Sequence, residues 1–288
     1  MIRALRRAAD LSLALPAGAL VGLIWANTAG ESYTAFAQAL HFGVNDVGMV
    51  FFFALAAKEV VEATAIGGAL TSWRVAALPL VAAVGGILGP ALAYTGIVWF
   101  QNEPALARGW AIPCATDIAF SYLVAKAIFR EHPAIPFLLL LAIADDAIGL
   151  LILAVFYPSG ALNLPMAAGL MAVACAAAFV VRRARLASFW PYVLTGGTLS
   201  WAALYYGGLH PALALVPIVP FMPHVRRDPG LFVEAPPEAH DTLSEFEHWW
   251  KYPVQLILLC FGLVNAGVPL GQVGPGTWAV LAAIMVGK

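Results

Sequence analysis

The chain has 288 residues, of which 62% are hydrophobic and 11% charged, with a formal net charge of −1. Soluble domains are about 45–50% apolar and about 25% charged, so this composition excludes an ordinary soluble protein and describes a polytopic membrane protein embedded in a lipid bilayer. The near-neutral balance leaves no electrostatic footprint for a nucleic-acid partner.

The first 28 residues, MIRALRRAADLSLALPAGALVGLIWANT, open basic and turn apolar from Leu11. The apolar part outruns a signal-peptide core, so it reads as a retained first span. The stretch 29–44 is only a weak hairpin former. Further apolar blocks follow at 45–65, 75–100, 110–129 and 135–157, then at 163–181, 189–207, 210–223, 252–268 and 277–288. Asn45 and Asp46 open the second span, where a helix N-cap is expected. Pro113 disrupts a helical turn before Thr116 and Asp117, so a discontinuous helix is expected in block 110–129. Pro211, Pro217, Pro220 and Pro223 argue against a regular helix in 210–223.

The polar interruption 224–251 ends in DTLSEFEHWWKY, which reads as a short helix. A capping box between Ser244 and Glu247 is expected there, with Trp249 and Trp250 at the membrane interface. The last block, TWAVLAAIMVGK, gives only about 18 Å of helix. It would leave Lys288 and a carboxyl terminus at mid-membrane, so the chain is expected to be a truncation of a longer protein. Arg3, Arg6, Arg7, Arg74, Arg130, Arg182, Arg183, Arg185, Arg226, Arg227 and Lys251 fall in alternate connections. The positive-inside bias then places the N-terminus and the 224–251 loop in the cytoplasm. Cys114, Cys175 and Cys260 lack metal-ligand spacing and read as small apolar residues.

Chemistry concentrates at Asp145 and Asp146. They are the only charges in the run FLLLLAIADDAIGLLILAVFY, residues 137–157. That run is long enough to cross a hydrocarbon core of about 30 Å. Each carboxylate costs roughly 2.5–3.5 kcal/mol at mid-membrane on the insertion scale, and two neighbours repel until a proton or cation relieves them. The pair therefore points to a cation or proton site that titrates as one unit. Thr116 and Asp117 beside a helix break add a hydroxyl, a carboxylate and unwound backbone carbonyls, the hard oxygens that sodium prefers. Capping of a kinked helix is the plainer reading of those two residues. No phosphate-binding glycine loop, metal-ligand cluster or nucleophile triad is present, so the chain reads as a transporter and not an enzyme.

ATDIAF (115–120), WAIP (110–113), AIADDAIG (142–149) running on to AVFY, and NAGV (265–268) resemble the bacterial NhaA family of sodium/proton antiporters. NDVGMVFFFAL and GGILGPALAY match its pattern as well, in the same order along the chain. The resemblance implies an all-α, polytopic transmembrane bundle with inverted repeats and discontinuous helices, forming one membrane domain over 1–288. That architecture is a known property of the family, and it comes to this chain from the resemblance alone.

The resemblance also implies electrogenic exchange of Na+ (or Li+) for protons by alternating access, serving sodium and pH homeostasis at the bacterial inner membrane. No cofactor is implied beyond the transported ions, and a homodimer is implied as a partner state. Position by position, Asp146 resembles the principal sodium- and proton-binding carboxylate. Asp145 resembles its neighbour, paired with a lysine that Lys288 matches. Thr116 and Asp117 match the unwound crossing of the family's fourth helix. Glu59 matches a glutamate linked to pH response, and His210 and His248 are further candidates for it.

The family's usual positive charges after that glutamate are missing, and so are its helices beyond Lys288. A sodium-coupled solute symporter of similar fold, or a transport-inactive truncated homologue, are the other readings.

Overall fold

The structure is a computed structural model and describes residues 13–64, 73–114, 134–158, 160–186, 188–224 and 241–288. Nine α-helices and several short 3₁₀ and π segments make up the described residues, with no strand among them.

Helix α1 (Ala14–Thr28) lies along α8 (Thr242–Asn265). Gly18 and Gly22 on α1 and Gly262 on α8 make this contact backbone to backbone. Small residues at four-residue spacing let apolar helices approach so closely, which is how helices associate where lipid replaces water.

α2 (Gly30–His41), a π-helical stretch (Phe42–Gly48) and α3 (Met49–Thr64) follow one another as a single 35-residue helix. The weak hairpin expected at 29–44 is therefore a helix. Its sequence, GESYTAFAQALH, has no proline and is rich in alanine, the strongest helix former. Asn45 and Asp46 are not an N-cap either. They sit inside the π-helical stretch, whose wider winding turns one backbone carbonyl outward. Trp201 Nε1 donates to that carbonyl, Asp46 O, at 2.8 Å. Asn45 and Asn265 exchange amide hydrogen bonds of 3.0 and 2.9 Å.

α4 (Trp73–Phe100) carries Pro79 and Pro90 within it. The 3₁₀ stretch Pro104–Cys114 contains Pro113, and α5 (Ala134–Phe156) follows the undescribed part of its block. α6 (Leu164–Arg183) opens on Asn163, whose side chain accepts from Met166 N, and closes on Arg182 and Arg183, favourable charges at a helix C-terminus. A π-helical stretch, Tyr192–Gly197, runs into α7 (Thr198–Tyr206).

As the prolines require, 210–223 holds only the 3₁₀ turns Pro211–Leu213 and Val219–Phe221. Yet Ala212, Ala214, Ile218, Val219 and Met222 are fully buried, and all but Ala212 belong to the largest core cluster among the described residues. Irregular backbone at membrane depth is tolerated where protein surrounds it.

α8 replaces two expected pieces. The short polar helix and the 252–268 span are one helix of 24 residues running through Pro253. Its N-cap is Asp241, which accepts from Ser244 N at 2.9 Å and Ser244 Oγ at 3.0 Å. The helix thus starts one turn before the expected box; an aspartate at Ncap outranks a serine three residues inside the helix. Trp250 is not an interfacial residue: it is buried and stacked on Phe51 at 3.4 Å, while Trp249 stays half exposed beside Trp190. α9 (Pro275–Gly287) packs against α4.

The last carbonyls of a helix have no partner of their own. Tyr33, buried on α2, supplies one for α8: its hydroxyl lies 3.0 Å from Leu263 O and 2.8 Å from Val264 O, and accepts from Gly267 N at 3.0 Å. Tyr33→Phe removes all of this from a buried place. It is expected to cost about 1–3 kcal/mol and lower the melting temperature in detergent. An unchanged melting curve would show that water replaces the hydroxyl.

Candidate functional site

Asp145 and Asp146 occupy the middle of α5, a helix of 23 residues. Neighbours on a helix point about 100° apart. The two carboxylates nonetheless line the same cavity, of about 340 Å³. Among the described residues its other walls are mainly apolar: Phe52 and Phe53 from α3, Ile87 from α4, and Ile112 and Cys114 from the 3₁₀ stretch, with Tyr157 as a further polar side chain. Asp145 keeps only 14% side-chain exposure, and Lys288 Nζ, at the end of α9, stands 4.0 Å from its Oδ2. Among the described residues, two carboxyl groups thus share one mainly apolar cavity, with an ammonium 4.0 Å from one of them. Such a place favours a small cation or a proton over a solvated organic molecule.

The 3₁₀ stretch Pro104–Cys114 is fastened by α4 and by Tyr157. Cys114 Sγ donates to Ile87 O at 3.3 Å. Tyr157, just past the end of α5, donates to Arg108 O at 2.7 Å and accepts from Ala111 N at 3.3 Å. Tyr94 on α4 donates to Leu106 O at 2.8 Å. Thr116 and Asp117, expected beyond this segment, lie outside the described residues.

One turn along α3 from the cavity lies a second charged group. Lys58, 3% exposed, is 3.3 Å from Glu59 Oε1, 2.8 Å from Glu62 Oε2 and 2.9 Å from Glu247 Oε2. Glu59 is therefore part of a cross-helix ion cluster between α3 and α8. The positive charge missing after Glu59 in sequence is supplied from the residue before it. Sequence reasoning gives Lys58 no part and places Glu247 in a cap. The i, i+4 spacing of Lys58 and Glu62 is the available signal; the contribution of α8 has none.

His248 follows Glu247, and its Nδ1 lies 2.9 Å from Ser244 O, within its own helix. His210 precedes the Pro211–Leu213 turn, where its carbonyl accepts from Leu213 N at 3.2 Å. Asp145, Asp146 and Lys288 are thus brought together. Glu59 belongs to the α3–α8 contact, His248 is exposed on α8, and His210 belongs to the proline-rich block.

The family model described as Na+/H+ antiporter 1 matches residues 3–288. The chain belongs to the Na+/H+ antiporter 1 family. Within that family it is 48% identical over 289 residues to the Na(+)/H(+) antiporter NhaA of Desulfitobacterium hafniense (strain DSM 10664 / DCB-2), covering 97% of this chain and 74% of the relative. It is 46% identical over 299 residues to Na(+)/H(+) antiporter NhaA 1 of Pelobacter propionicus, covering 100% and 78%. The NhaA antiporter of Geobacter sulfurreducens is 46% identical over 288 residues, covering 97% and 75%. Membership in this antiporter family accords with the all-helical fold and makes the chain an ion transporter by descent. Three described helices are long and apolar enough to cross a bilayer: 30–64, 76–100 and 164–183.

Proposed function

We propose that the chain exchanges Na+, or Li+, for protons across the bacterial inner membrane, electrogenically and by alternating access. Asp146 is the principal carboxylate and Asp145 its partner; both ligate the transported ion when unprotonated. Lys288 balances Asp145, and Thr116 and Asp117 add oxygen ligands and neutralise half-helix ends. The proton gradient is the driving force, and no organic cofactor takes part. The N-terminus and the 224–251 connection face the cytoplasm. The protein works as a homodimer, and Glu59, His210 and His248 adjust its rate to pH.

The observation that carries this reading is the pair of adjacent carboxylates lining one apolar cavity, with Lys288 Nζ 4.0 Å from Asp145. A site of this kind cannot hold sodium and its full complement of protons together, because the same oxygens serve both. Competition for those oxygens is what couples the two fluxes. An ammonium beside one carboxylate lowers the net charge that must be neutralised before the site can change sides.

The test is sodium-induced collapse of a pre-formed ΔpH in proteoliposomes, for the chain and for Asp146→Asn. Collapse is expected with the wild-type chain and is expected to vanish in the variant, since an amide can neither release a proton nor offer a charged ligand. Equal collapse in both, from inserted protein, would move the site away from Asp146. No collapse in either would sink antiport for these residues.

A further inference from the structure

Lys288 reaches Asp145 from another helix, and the depth of that helix is set one residue earlier. At Gly287 the backbone of α9 rests on the backbone of α4. A methyl on Gly287 would overlap Pro90 N and Cα and lie 2.7 Å from Gly89 C; one on Gly89 would overlap the Gly287 carbonyl oxygen and lie 3.1 Å from its carbon. Backbone cannot rotate away as a side chain can, so either methyl must push the helices apart.

The contact continues along α9 at four-residue spacing. Ala283 and Ala279 are fully buried against Tyr94 and Val98 of α4. α4 also holds α5: Ile87 and Ala91, with Cys114, form one cluster with Ile148 and Ile152. One helix, α4, is therefore closely fitted to the helices that carry both charged residues.

We infer that Gly89 and Gly287 are positioning residues for ion exchange: their backbone contact fixes how closely Lys288 faces Asp145. This rests on the reading that Asp145 and Lys288 take part in exchange. Charge interaction falls as 1/r, so widening 4.0 Å by about 1 Å removes about a fifth of it.

Two readouts test this on the full chain, one of them independent of transport. A membrane-permeant carbodiimide activates the Asp145 carboxylate, the Lys288 amine displaces the urea, and a zero-length amide forms only between groups in contact. Mass spectrometry is expected to find this cross-link in the wild type and in Gly96→Ala, where a methyl meets nothing within 4 Å. It is expected to fall several-fold in Gly89→Ala and Gly287→Ala.

In proteoliposomes, the pH midpoint of sodium-driven exchange is expected to move by roughly half a pH unit in both glycine variants. It moves in the same direction as in Lys288→Ala, and Gly287→Ala with Lys288→Ala is expected to match Lys288→Ala alone. Folded glycine variants with wild-type cross-linking and a wild-type midpoint overturn the inference, as does a shift that adds to that of Lys288→Ala. Where neither glycine variant elutes as folded protein, Ala283→Ser on the same contact takes their place under the same criteria. A wild-type chain that cross-links but does not exchange refutes the proposed function, while the cross-link yields of the variants still decide the positioning.

Discussion

Lys58→Met is expected to destabilise the folded chain by about 3 kcal/mol, far more than Lys58→Arg. The lysine is 3% exposed, and its ammonium stands within 3.3 Å of three carboxylates, Glu59, Glu62 and Glu247. Removing one member of a buried pair costs about 3–5 kcal/mol, because the remaining charge stays desolvated with nothing opposite. Here three would remain, pressed together from two helices. The lower end of the range applies because Glu59, Glu62 and Glu247 keep 22, 32 and 17% exposure, which lets water relieve part of the repulsion.

The same argument predicts a rescue. Adding Glu247→Gln to Lys58→Met takes one like charge away, so the double variant is expected to be more stable than Lys58→Met alone, although each single change is destabilising. Such non-additivity marks groups that act as one network. Thermal unfolding in detergent, followed by tryptophan fluorescence, measures all four proteins. A Lys58→Met variant melting with the wild type would mean that the carboxylates find other partners and that α3 and α8 do not depend on this lysine.

The long apolar helices, α5 with its two aspartates among them, are the easiest to find from sequence. α4, α5 and α6 begin and end within a few residues of their apolar blocks, because long apolar runs have one stable form in lipid. The proline-rich block is legible for the same reason in reverse: a missing N–H cannot be argued away. Asp145 and Asp146 stand out because charge in such a run is costly.

What sequence reasoning misses depends on partners far along the chain. Asn45 looks like a cap because its amide partner, Asn265, is 220 residues away. Lys58 draws no attention because Glu247, its partner across the contact, comes from α8. Trp250 looks interfacial because nothing in its neighbourhood announces Phe51. The helix at 30–41 is a different case. Its alanines carry the signal, but its polar residues and its place between two spans favour a turn. Thr116 and Asp117, which the break expected after Pro113 makes most interesting, lie outside the described residues.

Gly262→Val is expected to prevent recovery of folded protein, or to lower stability by more than the roughly 1–3 kcal/mol usual for overpacking. A single methyl at Gly262 would already lie 2.8 Å from Ala19 N and 3.3 Å from Gly18 C, both backbone atoms of α1. The reverse side of the contact is as tight, for a methyl on Gly18 would lie 2.9 Å from Leu259 C and 3.0 Å from Leu263 N. Neither helix can yield by changing a rotamer, so α8 must shift as a body. That shift is resisted at both ends. Near its start Glu247 is held by Lys58, and at its end Asn265 pairs with Asn45 and Tyr33 takes up its last carbonyls. Strain at Gly262 would therefore be shared by the α3–α8 ion cluster, one turn along α3 from the cavity wall. Gly169→Val on α6, where a methyl meets nothing within 4 Å, is the matched control and is expected to fold and insert normally. Size-exclusion profiles of the two variants, followed by melting curves for whatever elutes as a single species, decide the matter. A Gly262→Val protein that elutes and melts like Gly169→Val would show that α1 and α8 can part without consequence, and would remove the rigid contact on which the placement of α8 rests.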